Sequence, residues 1–271
     1  STLKFLTANT GKSYVTIDGA AYRMYHFIDD VFTIEKMENP NHFYLSGVAF
    51  GEFANFLSDF DASILAETIK NFHNTVSRYN DFEAAIQNNI SGRADDVTAE
   101  IEFVRQRKDF VSMFVDRLAD GSLPLRVTHN DTKLNNVLFD NKTQAPVSVI
   151  DLDTVLASTC LNDFGDAIRS YTNTGLEDDE NLENVSMDIA MFKGYTEGYL
   201  SETKSFLTQT EKDYLAFSAK YITYEQVLRF LMDYIDGDNY YKVRYDGHNL
   251  VRTRAQYKLL TSMEEQYEQM Q

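Results

Sequence analysis

The chain of 271 residues is 43% apolar and 13% aromatic, enough to pack one large domain or two modest ones. Its 25 basic residues against 42 acidic ones give a net charge of −17, which argues against a nucleic-acid or anionic-membrane partner, since phosphates are met by clustered Lys and Arg. The absence of an eighteen-residue apolar run, the lack of a secretion signal in the first ten residues and a single cysteine, Cys160, point to a chain without internal disulfides and to the cytoplasm.

In chain order, Tyr14–Ile17 and Tyr22–Ile28 read as β-strands joined by the turn pair Asp18-Gly19. Residues 46–60 place Val48, Phe53, Phe56 and Leu57 at helical spacing. The apolar positions Ile101, Val104, Val111, Phe114, Val115 and Leu118 keep the same period and predict one long helix that stops at Asp120-Gly121 before Pro124. Three short β-like runs follow: Leu125–Thr128, Asn136–Phe139 and Val147–Leu152. From about Asp163 the pattern is helical again, with Val185, Ile189, Phe192 and Tyr199 on one face, then Tyr221–Ile235, then Tyr257, Leu260, Met263 and Tyr267. The acidic run Asp178–Glu183 reads as a solvated loop or helix entry. The outline is a small β segment followed by a larger helical body with a short β insert.

The informative stretch is Val127–Arg169. It holds His129-Asn130-Asp131-Thr132-Lys133-Leu134-Asn135-Asn136 between two β-like runs, then Ile150-Asp151-Leu152-Asp153, then Asp163-Phe164-Gly165-Asp166. Phosphoryl transfer needs a carboxylate at the acceptor hydroxyl and oxygen ligands for a cation that bridges the phosphates. Asp131 and Asn136, five residues apart in one loop, supply the first and part of the second. Asp151, at the end of a buried strand, reaches the metal from the other side, and Asp153 is a candidate second ligand. A lone Asp is usually a solvated cap, but His-x-Asp-x-x-x-x-Asn followed by an apolar strand ending in Ile-Asp is a specific combination.

This segment resembles the catalytic and metal-binding loops of the aminoglycoside phosphotransferase and choline kinase superfamily, which shares the protein-kinase fold. The resemblance implies an α+β protein-kinase-like fold with a truncated β-rich N-terminal lobe and a mostly helical C-terminal lobe, divided as residues 1–28 and 29–271. It implies ATP and Mg2+ as cofactors, Asp131 as catalytic base, and Asn136 and Asp151 as metal ligands. His129 and Asp166 would be structural supports of the catalytic loop, Asp166 by accepting backbone hydrogen bonds. Met24, Tyr25, His26 and Phe27 would meet adenine through the hinge backbone. Phe72-His73-Asn74-Thr75, Arg78-Tyr79, Arg229–Tyr234 and His248–Arg254 extend the likeness to the N-acetylhexosamine 1-kinases. That narrower resemblance implies a sugar as small-molecule partner, phosphorylated at its anomeric hydroxyl and held by Arg229 and Tyr240. Arg252 and Arg254 are expected to pair with acidic residues, and Lys133 either touches the transferred phosphate or is solvated.

A Gly-rich phosphate loop and a β-strand lysine for the α/β-phosphates have no counterpart here. Either the chain is a piece of a longer protein or those elements are lost, and weakened ATP binding is expected. Two other readings stay open: a kinase of choline, an aminoglycoside or an amino acid, to which the net charge is suited, and a non-catalytic pseudokinase-type binding domain, which the intact Asp131, Asn136 and Asp151 oppose.

Overall fold

The computed structural model describes residues 3–34 and 39–271. Asp18 and Gly19 both take positive φ, 50° and 82°, and close a tight hairpin between β1 (Val15–Ile17) and β2 (Ala20–Tyr22). Regular pairing stops at Tyr22, short of the strand expected to Ile28. Among the described residues, the segment beyond Tyr22 pairs again through Tyr25, as an isolated bridge to Phe5.

Asn39 caps the next element through its side chain, and Pro40, whose missing N–H costs nothing in a first turn, opens α1 (Pro40–Phe56). The helix therefore starts six residues before the apolar period predicted it. The single long helix expected over 101–118 is two, α3 (Thr98–Gln106) and α4 (Met113–Ala119), after α2 (Thr75–Asn88). The break falls at Arg107, whose guanidinium donates to the Phe103 carbonyl at 3.0 Å and is pinned by Glu264 from far along the chain, and a short 3-10 turn follows.

β4 (Arg126–Thr128) pairs antiparallel with β7 (Leu156–Ser158), a three-residue strand that the sequence pattern did not reveal. β5 (Val137–Asp140) lies between β3 (Val31–Phe32) and β6 (Pro146–Val149) in an antiparallel sheet. Thus a strand just after the N-terminal segment is completed by strands from the helical body.

α5 (Cys160–Tyr171) runs buried along most of its length. α6 (Ile189–Thr203), α7 (Gln209–Asp236), α8 (His248–Glu265) and the short α9 (Tyr267–Met270) complete the body. Val185, read with the α6 face, lies in the preceding loop but packs into the same core. α7 starts on a reciprocal capping box of Thr208 and Glu211 and ends on Gly237 at φ 92°. One face of it, with Tyr221 and Ile222, joins the core of α1, α5 and α6. The other, with Tyr224 and Leu228, packs on α2 and α3 around Phe82 and Val104. Phe164 of α5 meets Phe192, Tyr195 and Tyr199 edge-on and is fully buried, a site worth about 1.5–3 kcal/mol by transfer alone. α1 and α6 approach so closely that a Cβ at Gly47 would strike the Tyr195 carbonyl and one at Gly198 the Tyr44 carbonyl. This packing carries the loops between β4 and α5 on a rigid base. Among the described residues no helix is long and apolar enough to cross a membrane.

Candidate active site

β4 delivers the chain to the site. Thr128 closes the strand by donating its hydroxyl to the Leu156 carbonyl on β7 at 3.0 Å. Asn130 then adopts left-handed backbone, φ 64°, a conformation Asn tolerates because its amide bonds locally. Its Nδ2 donates to the Thr128 and Thr154 carbonyls at 3.2 and 2.9 Å. The resulting corner places Asp131 in the wall of a cavity of about 380 Å³. Lys133 Nζ lies 2.8 Å from Asp131 Oδ1, and Asn136 Nδ2 donates to the Asp131 carbonyl at 2.8 Å and to Oδ2 at 3.2 Å. Partial burial works against the Lys133 charge, but the Asp131 carboxylate outweighs it and the ammonium pKa is raised.

His129 is fully buried and stands edge-on to Phe50 and Phe53 of α1. Its Nδ1 accepts the Asp131 amide at 3.2 Å, so Nε2 carries the hydrogen and donates to the Ile150 carbonyl at 2.9 Å. The imidazole is thus a strut between the loop bearing Asp131 and the residue before Asp151.

The carboxylates beneath the loop divide the support differently from the sequence expectation. Asp163 accepts the amides of His129 and Asn130 at 2.8 and 2.7 Å. Asp166 accepts the Thr132 amide at 3.1 Å and is ion-paired to Arg169 at 2.9 Å. Burial would raise the Asp166 pKa, yet the adjacent Arg169 guanidinium holds it below the usual value. Burial does raise that of Asp163, against its two backbone donors. Asp163 was not singled out as a support, although it lies three residues before Asp166 on the same face of α5.

Asn136 and Asp151 come together through the backbone, since the Ile150 amide donates to the Asn136 carbonyl at 2.9 Å. β6 ends at Val149, so Asp151 does not lie at a strand end as expected; it sits at φ 60° ahead of a 3-10 turn, Leu152–Thr154. Its exposed carboxylate has no hydrogen-bond or ion-pair partner among the described residues. Asn136 spends its Nδ2 on Asp131, leaving the amide oxygen as its other polar atom. A carboxylate and an amide oxygen suit Mg2+, which takes few protein ligands and completes its shell with phosphate and water. Among the described residues no cluster of three His, Cys, Asp or Glu forms a cage of its own. Asp153, the other candidate ligand, is ion-paired to Arg23 instead.

That ion pair ties the N-terminal segment to the turn after Asp151. In that segment the Met24 carbonyl accepts the Leu6 amide at 2.8 Å and the His26 amide donates to the Lys4 carbonyl at 3.0 Å. The backbone polar groups of Met24 and His26 therefore face the chain's own residues, whereas those of Tyr25 point the other way. Met24 and Phe27 expose 68% and 83% of their surface.

The same cavity is lined by Arg229 of α7, by Tyr241 and by Arg252 of α8. Tyr240, the residue expected beside the substrate, is 66% exposed and lines a neighbouring groove of about 620 Å³ with Arg78 and Asp81. Arg229 lines both spaces, and its guanidinium lies 5.6–6.0 Å from the rings of Phe72, Tyr240 and Tyr241. Buried Asp233, not anticipated, sets this arrangement by accepting the amides of Asn239, Tyr240 and Tyr241 at 2.8–2.9 Å. The pairing expected for Arg254 occurs, to Glu100 at 2.7 Å; Arg252 has no carboxylate partner among the described residues.

A helical lobe that presents a His-x-Asp-x-x-x-x-Asn loop beside a left-handed aspartate, next to a small antiparallel β region, is the architecture of a kinase-like phosphotransferase acting on alcohol groups. A family comparison agrees: residues 15–199 match the phosphotransferase enzyme family, and the chain belongs to it, within the aminoglycoside phosphotransferase and choline kinase-like superfamily. The fold is similar to an aminoglycoside phosphotransferase from Alicyclobacillus acidocaldarius, with TM-score 0.65 at 13% identity, over 98% of this chain and 77% of that one. It is also similar to a microcompartment-associated aminopropanol kinase, with TM-score 0.54 at 13% identity, over 100% and 77% of the two chains. A spectinomycin phosphotransferase solved with ADP and spectinomycin matches with TM-score 0.51 at 13% identity, over 98% and 77%.

Proposed function

We propose that the protein transfers the γ-phosphoryl group of ATP, with Mg2+, to a hydroxyl of a sugar, in particular the anomeric hydroxyl of an N-acetylhexosamine. The observation that carries the reading is Asp131, held by Asn136 and Lys133 in the wall of a substrate-sized cavity that Arg229 and Tyr241 also line. The acceptor O–H points at the Asp131 carboxylate. As the oxygen attacks, the new P–O bond forms, the bond to the β-phosphate oxygen breaks, ADP leaves and the proton passes to Asp131. No covalent enzyme intermediate is involved. Lys133, beside Asp131, stabilises charge on the transferred group. Asn136 and Asp151 would hold the cation, which when bound neutralises phosphate charge. The backbone of Met24–Phe27 meets adenine, with Tyr25 presenting the polar groups.

Arginine in the acceptor wall supports an oxygen-rich acceptor over a quaternary ammonium, because guanidinium donors match sugar and acetamide oxygens and repel cations. The test is a transfer assay with ATP, Mg2+ and a panel of N-acetylglucosamine, N-acetylgalactosamine, galactose, choline and kanamycin. Transfer to an N-acetylhexosamine supports both chemistry and acceptor. Transfer to choline or kanamycin alone keeps the chemistry and rejects the sugar. No transfer by folded protein sinks the kinase reading.

A further inference from the structure

In a chain with seventeen more acidic than basic residues, arginines at a cavity wall that are hydrogen-bonded to no carboxylate among the described residues are unexpected. Every carboxylate lining this cavity is engaged. Asp131 is held by Lys133, Asp166 and Glu177 by Arg169, and buried Glu225 by His73 at 2.9 Å and Thr75 at 2.7 Å. Burial works to raise the Glu225 pKa, but His73 and Arg229, one turn on along α7, hold it below the usual value; Arg229 makes no hydrogen bond among the described residues and lies beside three aromatic rings. Arg252 donates through one terminal nitrogen to the Asn249 side chain at 3.1 Å and the Lys242 carbonyl at 3.3 Å. Its Nε is buried with no acceptor. A buried guanidinium N–H without an acceptor is costly, and Arg meets planar anionic oxygens in a two-pronged fashion.

We infer that the acceptor carries an anionic oxygen group, a carboxylate or phosphate, which Arg252 and Arg229 bind within the cavity that Asp131 also lines. This deepens the kinase reading and rests on it. The hydroxyl to be phosphorylated then lies at Asp131 while the anionic group fixes the rest of the acceptor. A neutral hexosamine can fill the same space, but its oxygens bring no negative charge to balance the two guanidinium groups.

The experiment compares matched acceptors with the whole chain: glucose with glucuronic acid and glucose 6-phosphate, and N-acetylglucosamine with N-acetylglucosaminuronic acid and its 6-phosphate. The expected result is a kcat/KM at least tenfold higher for an anionic member of a set than for its neutral parent, the uronic and phosphate arms deciding which anion. Arg252→Gln should shrink that ratio about tenfold or more through KM, with the Kd for ATP unchanged. A neutral parent preferred over both anions, a ratio that survives Arg252→Gln, or a loss of ATP affinity in its place would each overturn the inference. The first and second outcomes leave the kinase reading intact. Absence of transfer to every acceptor would instead remove that reading, and uronate or sugar-phosphate binding measured by calorimetry then decides the anion site alone: no binding above that of the neutral sugar rejects it.

Discussion

Asp163→Asn perturbs the assembly of the site without touching any group that meets substrate. The carboxylate takes two backbone amides, from His129 and Asn130, at 2.8 and 2.7 Å in a fully buried setting. Asparagine has one oxygen, so one amide keeps an acceptor while the other faces an NH2 donor. Loss of a charge-assisted bond costs about 1.5–3 kcal/mol, and an unsatisfied buried amide about 1–3 kcal/mol. Relief of the buried charge, whose penalty is evident in the raised Asp163 pKa, offsets part of this. The net loss of stability should be about 2–4 kcal/mol. The two amides belong to the residues immediately before Asp131, so the corner relaxes as well. A displacement near 1 Å costs on the order of a hundredfold in turnover. Urea denaturation and steady-state transfer, measured on the same preparation, give both numbers, with ATP affinity expected to hold. A stability loss under about 0.5 kcal/mol with turnover within about twofold of the parent would refute the claim that Asp163 organises the loop.

Further outcomes follow from the same contacts. Gly198→Ala should cost about 3 kcal/mol or more, because its Cβ meets the Tyr44 backbone rather than a yielding side chain; thermal unfolding at the parental temperature would contradict the close α1–α6 packing. Asp151→Ala and Asn136→Ala should raise the magnesium concentration for half-maximal transfer, and an unaltered titration removes both as ligands. Buried Glu211 is subject to burial, which would raise its pKa, but the Arg126 fork at 2.7 and 2.9 Å and the Thr208 amide bring it below the ordinary 4.5. Its contribution is therefore complete above pH 4.5 and is lost as pH falls below that value, where the folded form must take up a proton. Urea unfolding of Glu211→Gln from pH 7 to 3 should show a shallower acid-side decline than the parent, and parallel curves would exclude Glu211 as a source of acid lability.

What could be read from the residues was local chemistry. The Asp18-Gly19 hairpin, the α7 face from Tyr221 to Ile235 and the proximity of Asp131 to Asn136 follow from short-range pattern, and the structure places each accordingly. Long-range partners decided the rest. The helix break at Arg107 depends on Glu264, 157 residues away. Asp163 and Asp166 both face the catalytic loop, and no spacing rule tells which carboxylate takes which amides. Tyr240 and Tyr241 are neighbours of which only Tyr241 also lines the cavity of Asp131, on a turn held by the three backbone amides that converge on Asp233. β7 is too short to show alternation and exists because β4 is there to pair with it.

The central claim is that Asp131 receives the acceptor proton in a phosphoryl transfer. Single-turnover transfer from γ-labelled ATP to the best acceptor of the panel, by the parent chain and by Asp131→Asn at equal ATP occupancy, tests it most directly. The variant keeps the size of the side chain and an oxygen for Lys133 while losing the basic carboxylate. The account predicts a fall in the transfer rate of about a hundredfold or more with ATP affinity retained. A rate within a few-fold of the parent at full ATP occupancy would contradict it.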